Sequence, residues 1–154
     1  MNTDGHRTLP VGGNLRSDTR LSRVLHILVH LACDSANYTS QQLADMLDTN
    51  AVLVRRTMAG LREAGYVRSE KGHNGGWSLS CDPHQVTLLD IYKALGITHL
   101  YNLGINRDNP HCLIENAVNA ELDDALNQAE LLLMNRLNEI TLSYLCDKFK
   151  ENNR

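Results

Sequence analysis

The sequence predicts a mainly α-helical protein with one small β-hairpin. Apolar residues recur at steps of three and four through most of 20–64 and again after about residue 113, the period of an amphipathic helix. Between these regions, two short runs of strand-forming residues flank a glycine-rich loop, which is typical of a hairpin. A pair of helices, then a hairpin, then a long helix is the order of a winged helix-turn-helix with a C-terminal extension.

The first helix is predicted from Arg20 to about Cys33. Residues 1–19 precede it, and because they have no apolar period we expect a disordered tail. Thr39 and Gln42 stand at the spacing of a capping box, which predicts that the second helix begins there.

A longer helix is predicted from about Asn50 to Ala64. Gly65 follows at the position where a glycine in the left-handed conformation commonly ends a helix. The short polar segment before Asn50 then joins two helices by a tight turn, as in a helix-turn-helix. The residues predicted to face inward are Leu53, Val54, Thr57, Met58 and Leu61.

The hairpin is predicted to pair residues 66–69 with residues 77–80 across the glycine-rich loop 70–76. A short helix capped by Thr87 and ended by Gly96 follows. We therefore expect a winged-helix domain over 20–96.

Residues 97–113 are predicted to be an irregular loop, and 114–154 a long helix with a short helix after it, capped by Thr141. The long helix carries more apolar surface than a lone helix can bury in water, which predicts packing against a second copy in a homodimer. Apolar residues step along it by four and three, the spacing of paired helices: Val118, Leu122, Ala125, Ala129 and Leu132.

Composition and charge narrow the class of protein. Hydrophobic residues make up 42% and charged residues 21%, as in ordinary globular chains. No apolar run approaches the roughly 18 residues of a membrane span, and no signal-peptide pattern opens the chain. The four cysteines lie far apart, which suits a reducing compartment better than a disulfide framework. We expect a soluble, cytoplasmic protein without membrane association.

Charge is distributed unevenly between the two halves. Residues 1–75 carry nine Lys and Arg against seven Asp and Glu, whereas residues 76–154 carry six against eleven. This asymmetry favours an anionic partner for the first half, although an uneven solvated surface would give the same counts.

Residues suited to DNA recognition collect in the predicted helix-turn-helix and wing. Arginine can pair with guanine and asparagine with adenine, and glycines let a loop approach a phosphate or a groove. The alternative is that the arginines only form a solvated face with nearby acids. The candidate DNA-binding residues are Thr39, Thr49, Asn50, Val52, Arg55, Arg56, Lys71, His73, Asn74, Gly75 and Gly76.

No catalytic motif is present, and we expect no enzyme activity and no metal site. His26 and His30 stand four apart on one helix, the spacing of two metal ligands, but no third ligand is evident. Cys33 and Cys146 are expected to be core thiols. Cys112 is a redox candidate because a helix start stabilises a thiolate, the alternative being a small buried cap residue.

Four stretches resemble the Rrf-two family of IscR/NsrR-type regulators. Residues 22–28 resemble its opening helix, and 61–67 the end of its recognition helix. Residues 71–79, Lys-Gly-His-Asn-Gly-Gly-Trp-Ser-Leu, are similar to its wing, and 86–91 match the segment that follows. The resemblance spans about 20–149.

The resemblance implies a homodimeric transcription regulator, expected to be a repressor, that reads palindromic double-stranded DNA. It implies Asn50, Val52, Arg55 and Arg56 in the major groove and the Gly75-Gly76 wing at the minor groove. Cluster-binding members have three close cysteines before the long helix, where this chain has only Cys112, so we expect no iron–sulfur cofactor. The competing interpretation is a winged-helix adaptor that binds a protein and not DNA.

Overall fold

The computed structural model describes residues 18–97 and 103–153. The predicted tail 1–19 lies outside these residues except for Asp18 and Thr19. The elements in chain order are α1 (Arg20–Asp34), α2 (Ser40–Met46), α3 (Ala51–Glu63), β1 (Val67–Glu70), β2 (Gly76–Leu79), α4 (Leu88–Ala94), α5 (Leu113–Glu139) and α6 (Leu142–Asn152). This order confirms the predicted winged helix-turn-helix with a long helix after it.

Side-chain caps start α2, α3, α4 and α6. The Thr39 hydroxyl accepts from the Gln42 amide at 3.1 Å, and the Gln42 side chain accepts from the Thr39 amide at 2.8 Å, which confirms the predicted capping box. Thr87 and Thr141 cap α4 and α6 as predicted. These local bonds satisfy amides that would otherwise lack partners, so the sequence itself sets where these helices begin.

One aliphatic core joins α1, α2, α3, the hairpin, α4 and α6. Its least exposed side chains come from a stripe on each helix, spaced by three and four residues. The largest of them are Leu28, Leu43, Met58, Leu61, Ile91 and Leu142. Because α3 packs into this core by one face only, its opposite face is left toward solvent.

The prediction for the inward residues of α3 was partly wrong. Val54, Met58 and Leu61 are buried, but Leu53 is 37% exposed and Thr57 is only partly buried. These two residues lie on a flank of the helix that borders a cavity rather than the core. Gly65 has φ +87°, as a glycine C-terminal to a helix requires.

The hairpin pairs Val67 with Leu79 and Ser69 with Trp77 in an antiparallel register. Each strand differs by one residue from its predicted bounds, so Glu70 and Gly76 belong to strands and not to the loop. Tyr38 extends the pairing, because its amide and carbonyl bond to the Trp77 backbone at 3.0 and 2.8 Å. This bridge fixes the wing against the connection between α1 and α2.

The long helix α5 is only partly covered in the protomer. Within the protomer it packs against α4 and forms hydrogen bonds with the segment 106–110, and Asn119 is its one buried residue. The predicted apolar row stays accessible, with Val118 51% and Leu132 73% exposed. No helix among the described residues is long and apolar enough to cross a membrane.

Candidate nucleic-acid interface

The exposed face of α3 lies opposite its buried stripe. A helix turns about 100° per residue, which places Val52 and Arg56 about half a turn from Val54 and Met58. Val52 is 63% exposed, and Arg55 and Arg56 are both exposed. The face therefore presents one apolar side chain and two guanidinium groups at the start of the helix, where a recognition helix contacts bases.

The turn before α3 uses two of the predicted site residues for its own structure. Asn50 is the N-cap, and its Oδ1 accepts from the Leu53 amide at 2.8 Å. Its side-chain amide nitrogen has no partner among the described residues and stays available as a donor. Thr49 is half-buried and lines the cavity beside α3, so it contributes less to the exposed face.

The positive charges of this surface are not neutralised by acidic side chains in the described part of the chain. The side chains of Arg55, Arg56 and Lys71 form no ion pair or hydrogen bond with any residue in 18–97 or 103–153. Unpaired Lys and Arg side chains can neutralise backbone phosphates, which is the main source of affinity for DNA.

The wing brings Lys71, His73 and Asn74 to the surface. The Asn74 backbone carbonyl accepts from the Asn37 side chain at 3.0 Å, and Asn74 has φ +64°. A polar cavity of about 580 Å³ lies between the wing and the start of α2. It is lined by Ser35, Asn37, Thr39, Gln42, Gly72, His73, Asn74 and Gly75, so the structure places Thr39 beside the wing.

The fold itself explains why glycines occupy positions 75 and 76 of the wing. A Cβ on Gly76, which has φ +132°, would lie 2.7 Å from the Tyr38 carbonyl oxygen. A Cβ on Gly75 would likewise meet the backbone carbonyl oxygens of Glu70 and Gly72. Both glycines are thus needed for close backbone packing, whether or not they also approach a nucleic acid.

Sequence reasoning missed Asn37 and Gln42 as neighbours of the wing. Gln42 was recognised only as a capping residue, and nothing local marks Asn37. Their placement depends on the Tyr38–Trp77 bridge, a long-range pairing that local periodicity does not reveal.

The prediction for two of the cysteines was wrong. Cys33 on α1 and Cys146 on α6 form a disulfide, with Cα atoms 5.4 Å apart and a separation of 113 positions in sequence. The helices bring the two side chains together in space, which the wide separation in sequence hid. This bond links α6, which follows the long helix α5, to α1 of the winged-helix domain.

The remaining cysteines differ in environment. Partial burial raises the pKa of the Cys81 thiol, which makes it a poor nucleophile. Cys112 is exposed and is the N-cap of α5, without a side-chain cap bond. The buried cap residue considered as its alternative role is therefore wrong, whereas its redox role stays a prediction.

The two histidines of α1 contact each other. Their Nε2 atoms are 3.1 Å apart. Burial, followed by the charge of His30, lowers the pKa of His26, which favours a neutral ring at pH 7. Among the described residues, no group of three or more His, Cys, Asp or Glu side chains is placed to hold a metal ion.

A helix-turn-helix with unpaired arginines on its second helix, and a wing fixed beside it, defines a winged-helix transcription regulator. Residues 17–148 match the model of the Rrf2 family, described as an iron-dependent transcriptional regulator. The chain belongs to the Rrf2 family. It is also 29% identical over 120 residues to YwnA of Bacillus subtilis, named as an HTH-type transcriptional regulator; the match covers 78% of this chain and 89% of YwnA.

Solved structures confirm the fold. IscR from T. potens superposes with a TM-score of 0.69 at 17% identity, over 92% of this chain and 93% of that one. CymR, the global cysteine regulator of B. subtilis, superposes with a TM-score of 0.58 at 21% identity, over 87% and 98%. The winged helix and the long helix are thus shared along almost the whole length.

The iron in the family description raises the question of a cluster site, and the cysteines here do not fit one. Iron–sulfur clusters are held mainly by cysteine thiolates, commonly four. The segment 97–113 contains one cysteine, Cys112, while Cys33 and Cys146 are bonded to each other. His99, which is also in this segment, lies outside the described residues.

Proposed function

We propose that this chain is a homodimeric transcription regulator, a repressor, that binds palindromic DNA through α3 and the wing. The observation that carries the proposal is the exposed surface of α3, where the guanidinium groups of Arg55 and Arg56 have no partner among the described residues. A repressor needs no catalytic site, because occupying an operator is sufficient to exclude other proteins from it.

Each side chain of the face has a chemistry that matches a DNA group. Arg55 and Arg56 can donate two bonds to guanine or contact phosphates, and the Asn50 amide can donate to a base edge. Val52 can pack against a thymine methyl group. Lys71, His73 and Asn74 extend from the wing toward the backbone or the minor groove.

The homodimer is supported by the apolar row of α5. Val118, Leu122 and Leu132 remain exposed in the protomer, along a helix of 27 residues. An apolar surface of this length is typical of a helix that packs on a partner. A second copy supplies a matching row by symmetry, and two-fold symmetry in turn requires two half-sites in the DNA.

We expect Arg56→Ala to weaken DNA binding by about 1–3 kcal/mol if the arginine contacts a base edge, with relaxed preference at one operator position. If Arg56 contacts a phosphate, the loss is similar for all sequences and the salt slope falls by about one. Fluorescence anisotropy with an operator duplex over a salt series measures both.

Lys150→Ala is the matched control, because it removes one positive charge from an exposed position on α6. It should leave the affinity within error of the wild type. If Arg56→Ala and Lys150→Ala behave alike, the assignment of the face is contradicted. The adaptor alternative predicts instead a weak dependence of partner binding on salt, since an apolar protein interface releases few ions.

A further inference from the structure

A second cavity lies beside the proposed DNA-binding face, where α1, α3 and α4 meet. Its volume is about 350 Å³, within the range of small-molecule sites. The floor is aliphatic, with contributions from Val24, Ile27, Val54 and Leu61, and Leu53 lies at the side. None of the residues that line this cavity also lines the polar cavity beside the wing.

The rim of the cavity is cationic. Arg20, Arg23 and Arg56 all line it. Arg20 is held by Asp18 at 2.7 Å, and this hydrogen-bonded pairing lowers the pKa of Asp18 to about 2. Arg23 and Arg56, by contrast, have no acidic partner in the part of the chain that the structure describes. An aliphatic floor below two unpaired guanidinium groups is complementary to an apolar molecule with one anionic end.

We propose that this cavity binds a small monocarboxylate with an aliphatic or aromatic body. The body packs against Leu53, which is 37% exposed, above the aliphatic floor, and the carboxylate accepts hydrogen bonds from Arg23 and Arg56. Guanidinium groups suit this role because their planar donors match the two carboxylate oxygens.

Arg56 also couples the cavity to DNA. It lines the cavity and lies on the proposed DNA-binding face of α3, and one guanidinium group cannot serve both anions fully. A bound carboxylate therefore weakens DNA binding, and DNA weakens carboxylate binding by the same factor. This coupling rests on the proposed function, whereas carboxylate binding itself does not.

The test uses the full chain without DNA. Hexanoate, octanoate and phenylacetate are titrated while the protein is followed by calorimetry and by amide chemical shifts, with octan-1-ol as the uncharged control. We expect saturable binding of at least one acid, and binding of octan-1-ol weaker by about tenfold or more, since a hydrogen bond to a charged group is lost.

Two variants locate the site. Arg23→Gln should weaken binding of the acid about tenfold, because one charged donor is removed. Gly60→Leu should abolish it, since Gly60 lines the cavity and a Cβ there meets no atom within 4 Å, so the added side chain can occupy the space. Lys150→Gln should bind as the wild type does. Circular dichroism checks that each variant is folded.

The proposal is overturned if none of the three acids binds saturably, or if Arg23→Gln and Gly60→Leu bind as tightly as the wild type. The coupling is tested separately by adding the acid to the complex with DNA, where the affinity for DNA should fall. A protein that binds the acid at this site but no DNA would contradict the proposed function and leave the ligand site standing.

Discussion

A glutamate at Leu132 of α5 is expected to separate the homodimer into protomers. Leu132 is 73% exposed in the protomer and lies in the apolar row, so a charge there would be buried without a partner in the dimer. The mass from light scattering should fall from twice 17.2 kDa to 17.2 kDa. Operator affinity should fall by roughly 10²–10⁴, because two linked half-site contacts become independent.

Asn127→Glu is the matched control on the same helix. Asn127 is exposed and, at about 100° per residue, lies about half a turn from the apolar row. This variant should remain a dimer and bind the operator normally. A Leu132→Glu protein that keeps twice the protomer mass would contradict the assignment of the row as the dimer interface.

Loss of the Cys33–Cys146 disulfide is expected to destabilise the fold by about 2–4 kcal/mol. The bond closes a loop of more than one hundred residues, and the conformational entropy that such a link removes from the unfolded chain is large. For a chain of this length the melting temperature should fall by roughly 4–16 °C. Calorimetry with and without a reductant measures this shift.

Cys33→Ser should melt at the lower temperature under both conditions, because it has no bond to reduce. Cys112→Ser should behave as the wild type, since Cys112 is an exposed free thiol. If the reductant leaves the wild-type melting temperature unchanged, the disulfide does not form in solution. If Cys112→Ser alone abolishes a response of DNA binding to oxidants, the redox role predicted for Cys112 is supported.

The fold could be predicted from the sequence because most of its elements have local signals. The capping box at Thr39, the Thr87 and Thr141 caps and Gly65 are visible in a few residues each, and the structure has all of them. The other helices could be predicted from the helical spacing of their apolar residues, because a core that is mainly aliphatic places such residues in a regular row along each helix.

The long-range contacts could not be predicted in this way. The bridge from Tyr38 to Trp77 and the bond from Cys33 to Cys146 join segments that are distant in sequence. The residues around each of these positions do not indicate which distant residue it pairs with. Leu53 was also predicted wrongly. Its position on the helix suits an inward residue, but that flank of α3 borders a cavity, which leaves the side chain exposed.

The DNA-binding residues were chosen from residue type and position, and the structure refines the choice. Arg55, Arg56 and Val52 are exposed as the interpretation requires, whereas Asn50 and Thr39 each use a side-chain oxygen in a cap. Gly75 and Gly76 are needed by the wing itself. For all of these candidate residues, contact with DNA stays a prediction.

Selection from random DNA duplexes tests the central claim most directly. The purified protein is mixed with the duplexes, and those it retains are sequenced. A symmetric dimer that reads DNA through α3 should enrich a palindrome whose half-sites are about 10–10.5 base pairs apart, or a multiple of that. Retained sequences without a repeated half-site, or no enrichment over the starting pool, would contradict it.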